Sequence, residues 1–322
     1  MINVGIIGGA GYTAGELIRI LVNHPEVNLV WIHSNSNAGQ PVTAVHSGLV
    51  GDTDLSFTDT YNFDNIDVMF LCSGHGASTK FLNENTIPES LHIVDLSQDF
   101  RDETNNFVYG LPEVNADRTK GALRVANPGC FATAIQLAIL PAVKAGCIDG
   151  EIHVTAVTGS TGAGVKPTSK THFSWRTDNM STYKEFEHQH LLEIGRTINS
   201  LTPEDTAAPD VNFVPVRGDF ARGIFASVYF DTDLTAEQLI ALYKSFYNDA
   251  KFTHVVDFDL DLKQVVNTNK ALISVTKHGR KAHIVSVIDN LLKGASGQAV
   301  QNMNLMFNLD QACGLRLKAS GF

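Results

Sequence analysis

The sequence predicts a two-domain α/β protein: a parallel sheet wound with helical crossovers, and an α+β domain inserted after it. Three observations carry this. A glycine-rich turn joins the first apolar strand to the first amphipathic helix. Short apolar runs then alternate with helical stretches through residues 1–130, and beyond them the strands turn to partial alternation. At 322 residues, two domains are also the better prior from length alone.

In chain order, residues 2–7 (INVGII) read as a buried strand, followed by the turn Gly8-Gly9-Ala10-Gly11. A helical pattern puts Leu17, Ile18, Leu21 and Val22 on one side and stops before His24-Pro25. Residues 27–33 (VNLVWIH), 67–72 (DVMFLC) and 92–96 (HIVDL) are further strands, the last two separated by helical character. In the second half, 152–158, 224–230, 271–276 and 283–288 alternate as strands of a sheet with one covered face. Helical stretches lie near 190–200 and 235–248, and 296–309 has helical spacing suited to return over the first domain. The expected division is 1–130 plus 296–322 for one domain and 131–295 for the other.

Composition excludes several classes. Hydrophobic residues make up 43% and charged residues 18%, which suits a folded globular chain. The formal charge of −10 argues against a nucleic-acid surface, which needs clustered Lys and Arg. No basic leader precedes the first strand, so no secretory signal is expected. The longest apolar run, 131–145, is broken by Gln136 and Pro141, so no membrane span is expected. Four cysteines (Cys72, Cys130, Cys147, Cys313) without CxxC spacing suggest neither a disulfide scaffold nor a metal site. A reducing cytoplasm is the expected location.

A glycine turn between a first strand and a first helix directs backbone N–H groups and a helix N-terminus at a pyrophosphate. Here the spacing is Gly8-x-x-Gly11-x-x-Ala14, and it predicts a dinucleotide site. The second strand ends at His33-Ser34-Asn35-Ser36, without the acidic residue that binds a ribose 2′-hydroxyl. With nothing to repel a 2′-phosphate, Ser34 and Asn35 favour NADP over NAD.

Residues 126–133 (ANPGCFAT) hold the candidate nucleophile. Pro128 keeps Asn127 extended, Gly129 permits a tight turn, and Cys130 falls where an apolar helix begins. Unpaired N–H groups and the helix dipole there favour the thiolate. Cys72, Cys147 and Cys313 read as ordinary buried cysteines.

The segment ANPGCFAT resembles the nucleophile segment of the N-acetyl-γ-glutamyl-phosphate reductases, relatives of the aspartate-semialdehyde dehydrogenases. The resemblance extends over 8–17 (GGAGYTAGEL), 94–101 (VDLSQDFR), 109–113 (YGLPE), 159–166 (GSTGAGVK) and 289–304 (DNLLKGASGQAVQNMN). It implies a Rossmann domain, which would bind NADP, and an α+β catalytic and dimerisation domain. It also implies reduction of an N-acyl-glutamyl 5-phosphate to the semialdehyde with release of phosphate. That chemistry suits a thiolate, which displaces phosphate from an activated acyl group and leaves a thioester open to reduction. With the resemblance, Tyr12, Thr13, Ala14, Ser73, Gly162 and Asn290 are expected to join Gly8, Gly11, Ser34 and Asn35 around the cofactor.

A proton carrier is sought among twelve histidines. His188-Gln189-His190 precedes a helix with Leu191, Ile194, Ile198 and Leu201 on one face, and a His at a helix N-terminus resists protonation. The segment is similar to the family's His-x-His-x-Pro-Glu-Ile, with Leu192 in place of the proline. His190 is the expected base, with His188 as the alternative base or as a substrate contact. A substrate with phosphate and carboxylate needs Arg, and Arg101, Arg217 and Arg222 are the candidates, with Lys166 and Lys270 as further cations. The density of Arg in 212–223 leaves an N-succinyl group open beside N-acetyl. Aspartyl phosphate as substrate, and a dinucleotide-binding redox sensor without turnover, are the competing readings. A homodimer or homotetramer is expected, with a small acyl phosphate as the other partner and no metal.

Overall fold

The computed structural model describes residues 1–321 and divides into two compact units. The first holds Met1–Gly129 and Ala295–Arg316; the second begins at Cys130 and ends at Gly294, with residues 317–321 added. The expected division took the first domain to the C-terminus and gave it Cys130. The last few residues instead cluster with the second unit, and Cys130 opens that unit.

In chain order, the first unit runs β1 (Ile2–Ile7), α1 (Tyr12–Leu21), β2 (Val27–His33), the single turn α2 (Val42–Val45), β3 (Phe57–Thr58) and β4 (Val68–Leu71). It continues with α3 (Ala77–Glu84), β5 (His92–Asp95), β6 (Val108–Tyr109), α4 (Pro112–Thr119) and β7 (Arg124–Ala126). The strands form a wholly parallel sheet of order β3-β2-β1-β4-β5-β7-β6. A parallel sheet is covered on both faces, which explains why every residue of β4 is fully buried. The chain leaves β1 for β2 on one side and later returns to β4 on the other. The crevice beyond the C-terminal end of β1 is therefore a topological switch point.

The second unit comprises α5 (Cys130–Lys144), β8 (Asp149–Thr158), the single turn α6 (Phe173–Arg176), β9 (Ser181–Thr182) and α7 (His190–Leu201). After these come β10 (Val211–Arg217), β11 (Ile224–Asp231), α8 (Ala236–Phe246), β12 (Thr253–Val256), β13 (Ala271–His278) and β14 (Lys281–Ile288). Its sheet is mixed, in the order β12-β13-β14-β11-β8-β10-β9. Helix α5 packs on β11 and β14 and also meets α7 and α8. Residues Phe131 to Val143 are all buried, so α5 has no polar face and is the core of this unit. Pro141 inside it removes the N–H that the Leu137 carbonyl would accept. The Tyr247 hydroxyl donates to that carbonyl instead (2.6 Å), and Tyr243 donates to Ala138 (2.6 Å). One π-helical turn, Leu292–Ser296, leads into α9 (Gly297–Met306), which returns to the first unit and packs on α1, α4 and β5.

The predicted fold class holds. Strand β10 escapes the sequence reading because Pro215 interrupts its alternation. The proline is tolerated because β9 covers β10 only at Val216 and Arg217.

Candidate active site

In the first unit the glycine turn is shaped by three close approaches. Gly8 has φ +83°, and a Cβ there would stand 2.9 Å from the carbonyl carbon of Cys72 and 3.0 Å from the Ser73 nitrogen. This brings Ser73, just past β4, beside the turn. The Gly9 amide donates to the His33 carbonyl (2.8 Å), and the Gly9 carbonyl lies 2.7 Å from His46 Nε2. The His46 ring also packs on Gly15, where a Cβ would come within 2.6 Å. His46 is a supporting residue that sequence reasoning missed, because nothing in its local pattern points back to the turn.

Gly11 caps α1 without any side-chain hydrogen bond, and a Cβ built on it would meet nothing within 4 Å. The helix N-terminus therefore faces open space, as a pyrophosphate requires. Tyr12 is exposed beside it. Thr13 accepts a hydrogen bond from Ser296 Oγ at its carbonyl (2.7 Å), and Ala14 is fully buried under the helix. Ala14 thus serves close packing of α1. At the end of β2, Ser34 is buried and its hydroxyl is held by the Asn37 amide (3.1 Å), which leaves exposed Asn35 as the outward group. Burial lowers the pKa of neighbouring His33, against an opposing hydrogen bond to Asn35 and the charge of Asp59.

Arg101 does not present an open guanidinium. It is buried, donating from Nε to the Asn127 carbonyl (2.9 Å) and from Nη2 to Leu96 (3.3 Å). Its place is behind the Asn-Pro-Gly-Cys turn. Asn127 is fixed further by donating to the Ala295 carbonyl (3.1 Å) and accepting from Asn302 (3.1 Å). Buried Asp95 accepts from the hydroxyls of Ser78 (2.6 Å) and Ser97 (2.7 Å), and burial raises its carboxyl above the usual range.

In the second unit Cys130 is the first residue of α5 and is half-buried. Burial pushes the thiols of Cys72, Cys147 and Cys313 upward, so these three are poor nucleophiles. Gly294 faces Cys130 so closely that a Cβ on the glycine would lie 2.8 Å from the cysteine Cβ.

The next residue, Phe131, has its ring centroid 5.4 Å from that of His188 and 6.3 Å from that of His190. Both imidazoles are buried, so neither is a solvated surface histidine. His188 Nδ1 accepts from the His190 amide (3.3 Å), which leaves the proton of the neutral ring on Nε2. Burial, helped by the charges of Lys184 and Arg217, lowers the His188 pKa to about 4. His190 Nε2 lies 3.9 Å from the Glu193 carboxylate one helical turn on.

Tyr183 is a further member that the sequence did not reveal. Burial pushes its phenol up to about 12, countered by the Arg217 charge and reinforced by the Cys130 sulfur. The Arg217 guanidinium lies 4.8 Å from the centre of the Tyr183 ring. Cys130, Tyr183, Arg217 and His188 thus form one neighbourhood. Arg222 is directed elsewhere, pairing with buried Asp289 at 2.9 Å. Gly162 lies in the turn Ser160–Ala163, about which Asn290 closes: its amide donates to Thr161 Oγ1 (3.0 Å), and its carbonyl accepts from Gly223 (2.7 Å). Lys166 is exposed, and Lys270 lies near His254. Among the described residues no three His, Cys, Asp or Glu side chains are placed to hold a metal ion, and no helix is long and apolar enough to cross a membrane.

The parallel sheet with its glycine turn and the cysteine-led helix beside two histidines define a semialdehyde dehydrogenase. Residues 3–122 match the family model of the semialdehyde dehydrogenase NAD binding domain, and residues 130–290 match that of the semialdehyde dehydrogenase dimerisation domain. The chain belongs to the N-acetyl-gamma-glutamyl-phosphate reductase family. It is 55% identical to the reductases of Bacteroides thetaiotaomicron and Christiangramia forsetii, over 100% of each chain. Among solved structures, aspartate semialdehyde dehydrogenase II from Vibrio cholerae matches with a TM-score of 0.72 at 18% identity, covering 96% of this chain and 99% of that one. The Candida albicans aspartate semialdehyde dehydrogenase with NADP matches at 0.71 and 15% identity, covering 95% and 98%. These two share the fold.

Proposed function

We propose that the chain reduces N-acetyl-L-glutamyl 5-phosphate to N-acetyl-L-glutamate 5-semialdehyde and phosphate, with NADPH as reductant and Cys130 as covalent nucleophile, in arginine biosynthesis. The observation that carries this reading is the placement of Cys130 at the start of α5, with Tyr183, Arg217 and His188 around it.

The Cys130 sulfur attacks the acyl carbon, a C–S bond forms, and the C–O bond to phosphate breaks. Arg217, held against Tyr183, neutralises an anionic group of the substrate. His188 stays neutral at physiological pH and donates from Nε2 to oxygen at the reacting carbon. His190, oriented by Glu193, carries the proton that the thiol loses and later returns. NADPH, when bound, supplies the two electrons that reduce the thioester carbon. Gly8, Gly11, Tyr12 and Ser73 would hold it, with Asn35 toward the 2′-phosphate. The structure fits this group, since the N-terminus of α1 is uncapped and open.

The first unit is the cofactor domain and the second the catalytic and dimerisation domain, in a cytoplasmic homodimer or homotetramer. Acetyl is the better acyl group: Arg222 was the extra cation that made succinyl attractive, and it is committed to Asp289. The test is oxidation of N-acetyl- and N-succinyl-glutamate semialdehyde and of aspartate semialdehyde, with phosphate and NADP⁺ or NAD⁺. The acetyl compound with NADP⁺ should give the highest kcat/KM. Preferred use of aspartate semialdehyde, or of NAD⁺, would overturn the corresponding part.

A further inference from the structure

The segment Asp289–Gly294 belongs to the stretch DNLLKGASGQ that stands out in the sequence, yet the reaction above gives it no part. Asp289 is fully buried. One carboxylate oxygen accepts from the Asn267 amide (2.7 Å) and from the Arg222 guanidinium (2.9 Å). The other accepts from the amides of Leu291 (2.8 Å) and Leu292 (3.2 Å). Its backbone carbonyl accepts from Gly294 (2.9 Å). The carboxylate also holds Asn267 in the left-handed region, at φ +71°.

Around this centre the segment reaches two parts of the candidate site. Gly294 is pressed on Cys130, at a distance only a residue without a side chain tolerates. Asn290 ties Thr161 of the Ser160–Ala163 turn to Gly223. A buried carboxylate with four donors is a rigid device, because losing any donor leaves an uncompensated charge in the interior.

We propose that Asp289 is a positioning residue for the nucleophile: its carboxylate folds the turn Asp289–Gly294, and that turn sets Cys130 through Gly294 and the glycine-rich turn through Asn290. The proposal rests on Cys130 being the nucleophile. Arg222, the partner of Asp289, belongs to the same device and acts through it.

The test uses Gly294→Ala, Asp289→Asn and, as a control, Gly195→Ala in α7, where a Cβ meets nothing within 4 Å. The readouts are kcat, KM for NADP⁺, and the pH-rate profile of Cys130 alkylation by iodoacetamide, followed on the Cys130 peptide by mass spectrometry. Gly294→Ala should lower kcat on the order of 100-fold, the scale of an ångström's misplacement at a reacting group. It should shift the alkylation profile and leave KM for NADP⁺ within about twofold, as expected of a change that spares binding. Asp289→Asn should shift the same profile, measured below its melting temperature. Wild-type kcat and alkylation profile in folded Gly294→Ala would overturn the proposal. A wild-type profile in folded Asp289→Asn would overturn it as well; if that variant does not fold, Asp289→Glu takes its place with the same readout. Cys130→Ala separates the two claims: turnover in that variant removes the nucleophile, whereas a dead Cys130→Ala beside a fully active Gly294→Ala removes only the positioning role.

Discussion

His188 makes a quantitative prediction about acid sensitivity. Its ring is buried against Phe131, Tyr183 and Phe213, with Lys184 and Arg217 near enough to repel a proton. In the unfolded chain it titrates near 6.5; in the folded protein it does so at about 4. Between these values the unfolded state binds more protons, so stability is intact above 6.5 and falls as pH drops toward 4. At about 1.4 kcal/mol per pH unit, the gap of roughly 2.5 units is worth at most about 3.5 kcal/mol, of which the range from pH 7 to pH 4 covers about 3. Burial also lowers the pKa of His24, His33, His92, His254 and His283, so the wild-type slope alone does not isolate His188. The comparison is with His188→Asn, whose side-chain oxygen can still accept from the His190 amide. Urea unfolding of both proteins at intervals from pH 7 to pH 4 gives the difference. The wild type should lose up to about 3 kcal/mol more than the variant across that range. Parallel curves would show that His188 takes up its proton as readily folded as unfolded, and its role as a neutral donor would fall.

Gly8→Ala places a Cβ at φ +83° against the Cys72 backbone, and should cost about 1–2 kcal/mol of stability and weaken NADPH binding, read by fluorescence titration. Arg101→Ala should destabilise the protein by about 1–3 kcal/mol, since it strips donors from buried carbonyls. It should lower kcat without raising the KM for phosphate; a selective rise in that KM would restore Arg101 as an anion clamp. Replacing Cys72, Cys147 and Cys313 together by Ala or Ser should leave kcat within about threefold, because none of the three carries the covalent step.

The fold was legible because it is written locally. The glycine turn, the apolar runs of β1, β2, β4 and β5, and the cysteine at the head of α5 all announce themselves over a few neighbouring residues. The residues proposed for the chemistry, Cys130 and the histidine pair, are those that residue type and local pattern mark in the sequence. Charge alone does not show what an arginine touches. Arg101 and Arg222 look alike in sequence to an anion-binding arginine, but one donates to backbone carbonyls and the other meets Asp289, 67 residues away in the chain. Tyr183 and His46 were invisible for the converse reason: their partners, Arg217 and Gly9, are distant in sequence, and neither residue belongs to a recurring local pattern. Asn290 reads as a cofactor contact by position, yet most of its amide is engaged in closing the turn at Thr161.

The central claim is that an acyl group passes through the sulfur of Cys130. Mixing the enzyme with N-acetyl-L-glutamyl 5-phosphate in the absence of NADPH, quenching in acid and digesting should trap it. The expected product is an N-acetylglutamyl adduct on the peptide containing Cys130, labile to hydroxylamine and absent from Cys130→Ala. An adduct on another residue, or steady turnover by Cys130→Ala, would contradict it.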